Sequence, residues 1–191
     1  LEENPTATIL DIGAQQGLYT LLAKFYPNTT WHSFEAFKFS YDLLKSNINY
    51  ENISNVSTYN IGVSNVIGED ILYVPRTKNE RGGLNAIAKI TNGRINLENC
   101  DKIKIKTDTI DNLFLDKKVD FIKMDTEGFE YYILLGGLET IKKYRPCILT
   151  EYMQCNMKTC GVNQNQLDDF FKNLNYKFIQ LDFGERFYYT L

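Results

Sequence analysis

Short apolar runs that end in turn residues alternate along this chain with stretches whose apolar positions recur at helical spacing. Residues 6–12 form the first run and stop at Gly13-Ala14-Gln15-Gln16-Gly17, the pattern of a buried parallel strand feeding a glycine loop. Leu18, Leu21, Leu22 and Phe25 then fall on one helical face, and Pro27-Asn28 closes that segment. Residues 31–36 alternate as a second strand, and Phe37, Tyr41, Leu44 and Ile48 mark a helix over 37–49. Residues 55–61 read as a third strand. Strand, helix, strand, helix, strand predicts a parallel sheet with right-handed crossovers.

The middle of the chain changes character. Residues 63–74 hold two β-like runs around Gly68-Glu69-Asp70, which predicts a hairpin, and 102–107 resume the alternation. Between them, 76–94 are polar and basic, with Arg76, Lys78, Arg81, Lys89 and Arg94 against Glu80. A small β insertion around residues 62–107 is expected. Thr109-Ile110-Asp111-Asn112-Leu113 predicts a capped helical turn, and 119–124 another buried strand ending at Asp125. After the turn Thr126-Glu127-Gly128, a helix is expected over 129–143, with Gly136-Gly137 weakening its middle by up to ~1 kcal/mol per glycine. Residues 146–152 read as a strand, 163–173 as a helix, and 177–182 with 186–190 as a terminal strand pair joined at Phe183-Gly184-Glu185.

Composition narrows the picture. The 191 residues suit one domain, 1–191. A formal net charge of −3 excludes a surface that traps nucleic acid by charge alone. No apolar run approaches the ~20 residues needed to span a bilayer, and no signal-peptide pattern opens the chain. It starts Leu1-Glu2-Glu3 without Met, which reads as a domain excised from a larger chain. Cys100, Cys147, Cys155 and Cys160 form no C-x-x-C pair, and the single His32 is remote from them, so reduced thiols in a cytoplasmic protein are expected rather than a zinc site.

The first loop carries the candidate chemistry. Asp11-x-Gly13-x-x-x-Gly17 joins a strand to a helix, where glycines let the backbone approach a ligand and the helix start offers free N–H groups. The loop lacks the G-x-G-x-x-G of dinucleotide enzymes and the Lys-Ser/Thr of phosphate loops. An acidic residue leading it suits a ligand with a cationic amino group and a sulfonium. Glu35 ends the second strand, where a carboxylate can accept both hydroxyls of a ribose.

The run Leu10-Asp11-Ile12-Gly13-Ala14-Gln15-Gln16-Gly17-Leu18-Tyr19-Thr20 resembles the first motif of FkbM-family methyltransferases, D-x-G-A-x-x-G-x-Y/F-T/S. Phe34-Glu35-Ala36 resembles the family's F-E-P, with Ala in place of Pro. Ile122-Lys123-Met124-Asp125-Thr126-Glu127-Gly128-Phe129-Glu130 resembles its I-K-x-D-x-E-G-x-E, residues 109–113 its T-L/I-D-x-L, and Arg145-Pro146 to Glu151 its R-P-x-x-x-x-E. The resemblance implies an α/β, Rossmann-like class I methyltransferase sheet: seven mostly parallel strands in the order 3-2-1-4-5-7-6, the last antiparallel, with helices on both faces. It also implies S-adenosylmethionine as cofactor and transfer to an oxygen of a sugar or polyketide, in chains that stand alone or are fused to glycosyltransferase domains. Ala36 and the two loop Gln depart from the pattern and bear on cofactor affinity.

On this reading Asp11, Gly13, Ala14, Gln15, Gly17, Tyr19, Glu35, Ala36, Asn60 and Asp125 form the cofactor site, with Asn60 near the adenine and Tyr19 over the cofactor. A sugar hydroxyl needs a base or a metal to act as nucleophile. Asp125 and Glu151 end neighbouring strands, about 5 Å apart laterally. Two readings stay open: a Mg²⁺ or Mn²⁺ site built from Asp125, Glu151 and Glu127, or a metal-free site with Asp125 or Glu151 as catalytic base and Lys123 as electrostatic partner. Glu130 is expected to cap the following helix, His32 to be packed or on the surface rather than catalytic, Tyr152 to wall the acceptor, and Gly83-Leu84-Asn85 to approach it. The acceptor class is an oligosaccharide hydroxyl such as that of a terminal deoxyhexose. The alternatives are a polyketide or lipid-like alcohol, a nicotinamide-dependent oxidoreductase on a similar sheet, and a non-catalytic binding domain.

Overall fold

A computed structural model describes residues 4–75, 99–181 and 184–190. In chain order its strands are β1 (Thr8–Ile12), β2 (Thr30–Phe34), β3 (Val56–Tyr59), β4 (Gly62–Val63), β5 (Gly68–Pro75), β6 (Cys100–Asp108), β7 (Phe121–Met124), β8 (Cys147–Glu151), β9 (Lys177–Gln180) and β10 (Glu185–Tyr189). Seven of them make one sheet in the order β3-β2-β1-β7-β8-β10-β9. Counted within that sheet alone, this is the expected 3-2-1-4-5-7-6. β1, β2, β3, β7 and β8 run parallel, and β10 is antiparallel to both its neighbours. Alternation along β1 sends Ile9 to one face, against Ala23 and Trp31, and Leu10 and Ile12 into the large cluster on the other, so both faces are covered.

The insertion is a second sheet, β4-β6-β5. The expected hairpin across Gly68 does not form. β5 pairs antiparallel with β6 from Gly68↔Thr107 to Pro75↔Cys100, and β4 pairs parallel with β6 on its other edge. Two-residue β4 is too short to cover eight-residue β5, whereas nine-residue β6 covers it fully. Leu72, Val74 and Ile105 turn inward from this sheet into the main core. The basic stretch 76–94, with Gly83-Leu84-Asn85, lies outside the described residues.

Polar contacts overrule apolar spacing after β1. In place of an α-helix starting at Leu18 there is a 3₁₀ helix, Thr20–Phe25, with Thr20 and Ala23 buried. Leu18 is 79% exposed and Phe25 73%. The Thr20 hydroxyl donates to Asp11 at 2.6 Å and lies 2.8 Å from the Ser33 hydroxyl, which turns the polar edge of this segment inward.

The α-helices are α1 (Lys38–Tyr50), α2 (Ile110–Phe114), α3 (Glu130–Leu135), α4 (Leu138–Tyr144), α5 (Gln154–Thr159) and α6 (Gln164–Asn173). The helix expected over 129–143 is broken at Gly136-Gly137, and the break has a cause. A Cβ on Gly136 would lie 2.0 Å from the Ser64 carbonyl oxygen, and one on Gly137 2.9 Å from Ile110. The Gly136 carbonyl accepts from Asp111 N at 2.9 Å, and the Asp111 carboxylate accepts from Glu139 N and Thr140 N at the start of α4. Residues 109–113 form the capped turn anticipated from their sequence, Thr109 accepting from Asn112 N. α5 has no apolar periodicity to announce it.

Glu130 opens α3 but faces inward, 1% exposed. One of its oxygens accepts from both Thr126 N (2.8 Å) and the Thr126 hydroxyl (2.9 Å), pinning the turn after β7. Burial raises its pKa above the ordinary Glu value against the pull of those hydrogen bonds.

Two consequences are measurable. Gly136→Ala gains up to ~1 kcal/mol of helix propensity but meets a backbone oxygen that no rotamer can move. Overpacking wins, and urea unfolding should show a loss of roughly 1–3 kcal/mol; unchanged stability would contradict the contact. Because burial raises the pKa of Glu130, between its unfolded and its folded value the folded state holds a proton that the unfolded chain has released. That stabilisation is complete below the unfolded pKa and is lost as pH rises through the folded one. The unfolding free energy of wild type relative to Glu130→Gln should therefore fall with rising pH; a constant difference would refute the assignment.

Candidate active site

The crevice forms where β1 and β7 end side by side. A Cβ on Gly13 would lie 2.1 Å from the Asp125 carbonyl oxygen, so only glycine lets the loop cross the tip of β7. Gly13 adopts φ +76°, and Gly13 N and Ala14 N both donate to the Phe34 carbonyl at 3.0 Å, tying the loop to β2. Gly17 closes the turn, donating to the Ala14 carbonyl at 2.7 Å.

Glu35 sits at the tip of β2, 6% exposed. One oxygen accepts from Gln15 N at 2.9 Å and the other from Phe37 N at 2.8 Å. Burial raises its pKa, opposed by those two N–H groups and by the charge of Lys123. With Gly13, Gln15, Ala36, Asp125, Thr126 and Phe129 it lines a crevice of about 540 Å³, counting space open to solvent. A second lobe lies on the other side of the loop, bounded by Ala14, Tyr19, Lys123 and Asp125. Gly13, Gln15 and Asp125 border both lobes.

Several expected site residues stand behind the surface they shape. Asp11 is fully buried; it accepts from Thr20 and lies 3.4 Å from the Lys123 ammonium, so it acts on the crevice only through space. Its other oxygen is buried without a hydrogen-bond donor, which leaves that ammonium as its compensating charge. Asn60 donates to the Glu35 and Ala36 carbonyls at 2.8 and 3.1 Å, bracing the rim while Ile61, Gly62 and Val63 line it. Tyr152 donates to Asp168 and stacks under the Arg186 guanidinium, away from both lobes. His32 is half-buried, 2.9 Å from the Tyr59 hydroxyl and edge-on to Phe114.

Lys123 is 5% exposed, 3.8 Å from Asp125 and 4.7 Å from the Tyr19 ring centre. The Tyr19 hydroxyl reaches Glu185 at 3.5 Å. Burial, then Glu185 and Asp125, raise the Tyr19 pKa. The β7–β8 register aligns Met124 with Thr150, carrying Asp125 and Glu151 to adjacent ends, and Glu185 is the register partner of Glu151 across β10.

Of the two readings left open, the one with a metal finds no support in the geometry. Glu127 and Glu151 converge on the side-chain amide of Asn156, whose nitrogen lies 2.8 Å from Glu127 and 3.0 Å from each Glu151 oxygen. A neutral donor occupies the point between them where a cation would need to sit. Among the described residues no group of three or more His, Cys, Asp or Glu is poised to hold a metal. Asn156 could not be found from the sequence, since α5 has no patterned face. The one hint was Gly128, whose Cβ would lie 2.2 Å from the Asn156 carbonyl oxygen.

The sequence matches the methyltransferase FkbM domain over residues 11–178. No curated protein matches the chain. Among solved structures it is similar to the methyltransferase FkbM of Methylobacillus flagellatus KT, with 16% identity and a TM-score of 0.61 over 97% of this chain and 44% of that one. The chain thus spans less than half the length of that protein. It is also similar to an rRNA methylase from Streptococcus thermophilus (9% identity, TM-score 0.54, 98% and 88% of the two chains). A third similar structure is a Streptococcus mutans methyltransferase in complex with SAH (10%, 0.54, 97% and 89%). At these identities the structures establish the fold, while the match over residues 11–178 establishes the family: the chain belongs to the FkbM methyltransferases.

Proposed function

We propose that this domain transfers a methyl group from S-adenosylmethionine to a hydroxyl of a sugar in a glycan. One observation carries the donor half of the proposal: a buried carboxylate, Glu35, lining the crevice beside a glycine loop at the carboxyl end of a 3-2-1-4-5-7-6 sheet. Each Glu35 oxygen receives one backbone N–H and retains a lone pair for a ribose hydroxyl. Family membership and the SAH-bound Streptococcus mutans structure support the same ligand.

The adenosine then occupies the Glu35 lobe, with Ala36 and Phe129 at its walls, and the methionine end crosses Gln15 toward Tyr19, Lys123 and Asp125. Transfer is an in-line displacement: a bond forms from acceptor oxygen to methyl carbon as the bond to sulfur breaks and leaves its electron pair on sulfur. Alignment alone can supply roughly 7–11 kcal/mol. The hydroxyl proton passes to Asp125 or Glu151, the carboxylates that end β7 and β8, and Lys123 compensates charge beside Asp125. Sugar hydroxyls suit a rim of carboxylate acceptors, and the family's habit of acting on glycans and polyketides supports an alcohol acceptor.

Calorimetry should show binding of S-adenosylhomocysteine and none of NAD. Glu35→Ala should weaken S-adenosylhomocysteine by about 10–100-fold, the worth of one hydrogen bond to a charged acceptor. Incubation with labelled methyl donor and a panel of neutral oligosaccharides and small hydrophobic alcohols then reads the acceptor. Labelled sugar is the expected result. Label on the alcohols alone would replace the glycan with a lipid-like or polyketide acceptor, and binding of NAD in place of S-adenosylhomocysteine would overturn the methyl-transfer reading.

A further inference from the structure

The turn after β7 and the start of α5 meet in a contact that the donor site does not require. Glu127 holds a left-handed conformation at φ +57°, and Gly128 follows at φ +103°. A non-glycine residue in that region costs energy and persists where its surroundings fix it. Here the surroundings are Asn156: a Cβ on Gly128 would strike its carbonyl, and the Thr159 hydroxyl donates to that same carbonyl at 2.6 Å. The side chain is 5% exposed. Its amide oxygen lies 3.5 Å from the Cys155 thiol, which donates to it and so orients the nitrogen toward the carboxylates.

We propose that Asn156 is a positioning residue for methyl transfer: its amide gathers the Glu127 and Glu151 carboxylates onto one nitrogen and so sets where Glu151 meets the acceptor hydroxyl. The inference rests on the proposed reading of Glu151 as an acid–base group. The amide has two hydrogens, one for each carboxylate, at 2.8 Å to Glu127 and 3.0 Å to Glu151. Glu151 lies in register between the strand ends that carry Asp125 and Glu185. Lys123 and Tyr19 stand on the loop side of the cluster, and the Cys160 thiol reaches the Glu127 carbonyl at 3.8 Å from behind. In so acidic a setting a neutral donor can hold two like charges together without adding to them.

Asn156→Asp keeps the shape of the side chain but replaces its donor with a third carboxylate; Asn156→Ala removes the donor together with the amide oxygen that accepts from Cys155. Melting temperature and S-adenosylhomocysteine affinity are read for both variants, the latter expected within twofold of wild type. Carbon-detected NMR then follows the carboxyl carbons of Glu127 and Glu151 against pH, with no acceptor needed. The Asp variant should raise the midpoint of at least one of them by about one pH unit or more. Methyl transfer to the oligosaccharide labelled in the panel should fall at least tenfold in kcat, with the KM for S-adenosylmethionine unchanged and the acidic limb of its pH profile moved the same way. Unshifted carboxyl midpoints, or a loss of S-adenosylhomocysteine binding in step with kcat, would overturn the assignment. If no sugar is labelled, the glycan reading fails, and kcat is read instead on whichever alcohol of the panel is labelled; the carboxyl titration reports the Asn156–carboxylate contact, and an unchanged kcat overturns the positioning role. If the Ala variant does not fold, the Asp variant decides alone.

Discussion

Gly13 and the carbonyl of Asp125 approach so closely that no side chain fits between them, and the rest of the site follows from that contact. It brings the loop after β1 across the tip of β7, so one short backbone segment borders both lobes of the crevice. The same segment is hydrogen-bonded to β2 through the Phe34 carbonyl and, at Gln15, to the Glu35 carboxylate. Three strand ends are thereby locked together before any ligand arrives. A pocket organised in this way loses little freedom on binding, which is the general source of affinity in preformed sites.

Beneath the loop, charge is buried rather than displayed. Asp11, Thr20, Ser33 and Lys123 form a polar seam at 0–5% exposure, in which a carboxylate is offset by one hydroxyl, itself bonded to a second, and by one ammonium. Such a seam adds little net stability, because desolvation consumes most of the Coulomb gain. Its effect is directional: Lys123 is held between Asp11 and Asp125 with its charge against the face of Tyr19. The second lobe therefore inherits its electrostatics from residues that no ligand touches. Glu130 plays a comparable part on the other side, a buried carboxyl that ties down the turn leading from Asp125 to Glu127.

Most of the sheet could be read from the sequence, because buried parallel strands announce themselves as short apolar runs and their loops by Gly13, Gly17 and Gly128. Glu35 was legible for the same reason, as an acid at a fixed place on the second strand. What failed was periodicity where polar contacts or crowding decide. Leu18, Leu22 and Phe25 looked like a buried face, yet Thr20 faces inward, because its hydroxyl bonds Asp11. Gly136-Gly137 looked like weakness in one helix and instead admits Ser64 and Ile110 between two. The hairpin across Gly68 does not form because the partner of β5, β6, begins twenty-five residues after β5 ends. Asn156 lay beyond reach, since its function comes from tertiary placement on a short helix without a pattern. Asp11 was read as a ligand contact because the sequence shows the residue type and its position but not its depth.

The placement of the donor is decided by a crystal structure of the domain with S-adenosylhomocysteine. Both ribose hydroxyls should lie within about 3.2 Å of the Glu35 oxygens, with the sulfur beside Tyr19, Lys123 and Asp125. A ribose lying elsewhere, with Glu35 bonded only to the Gln15 and Phe37 amides, would contradict it.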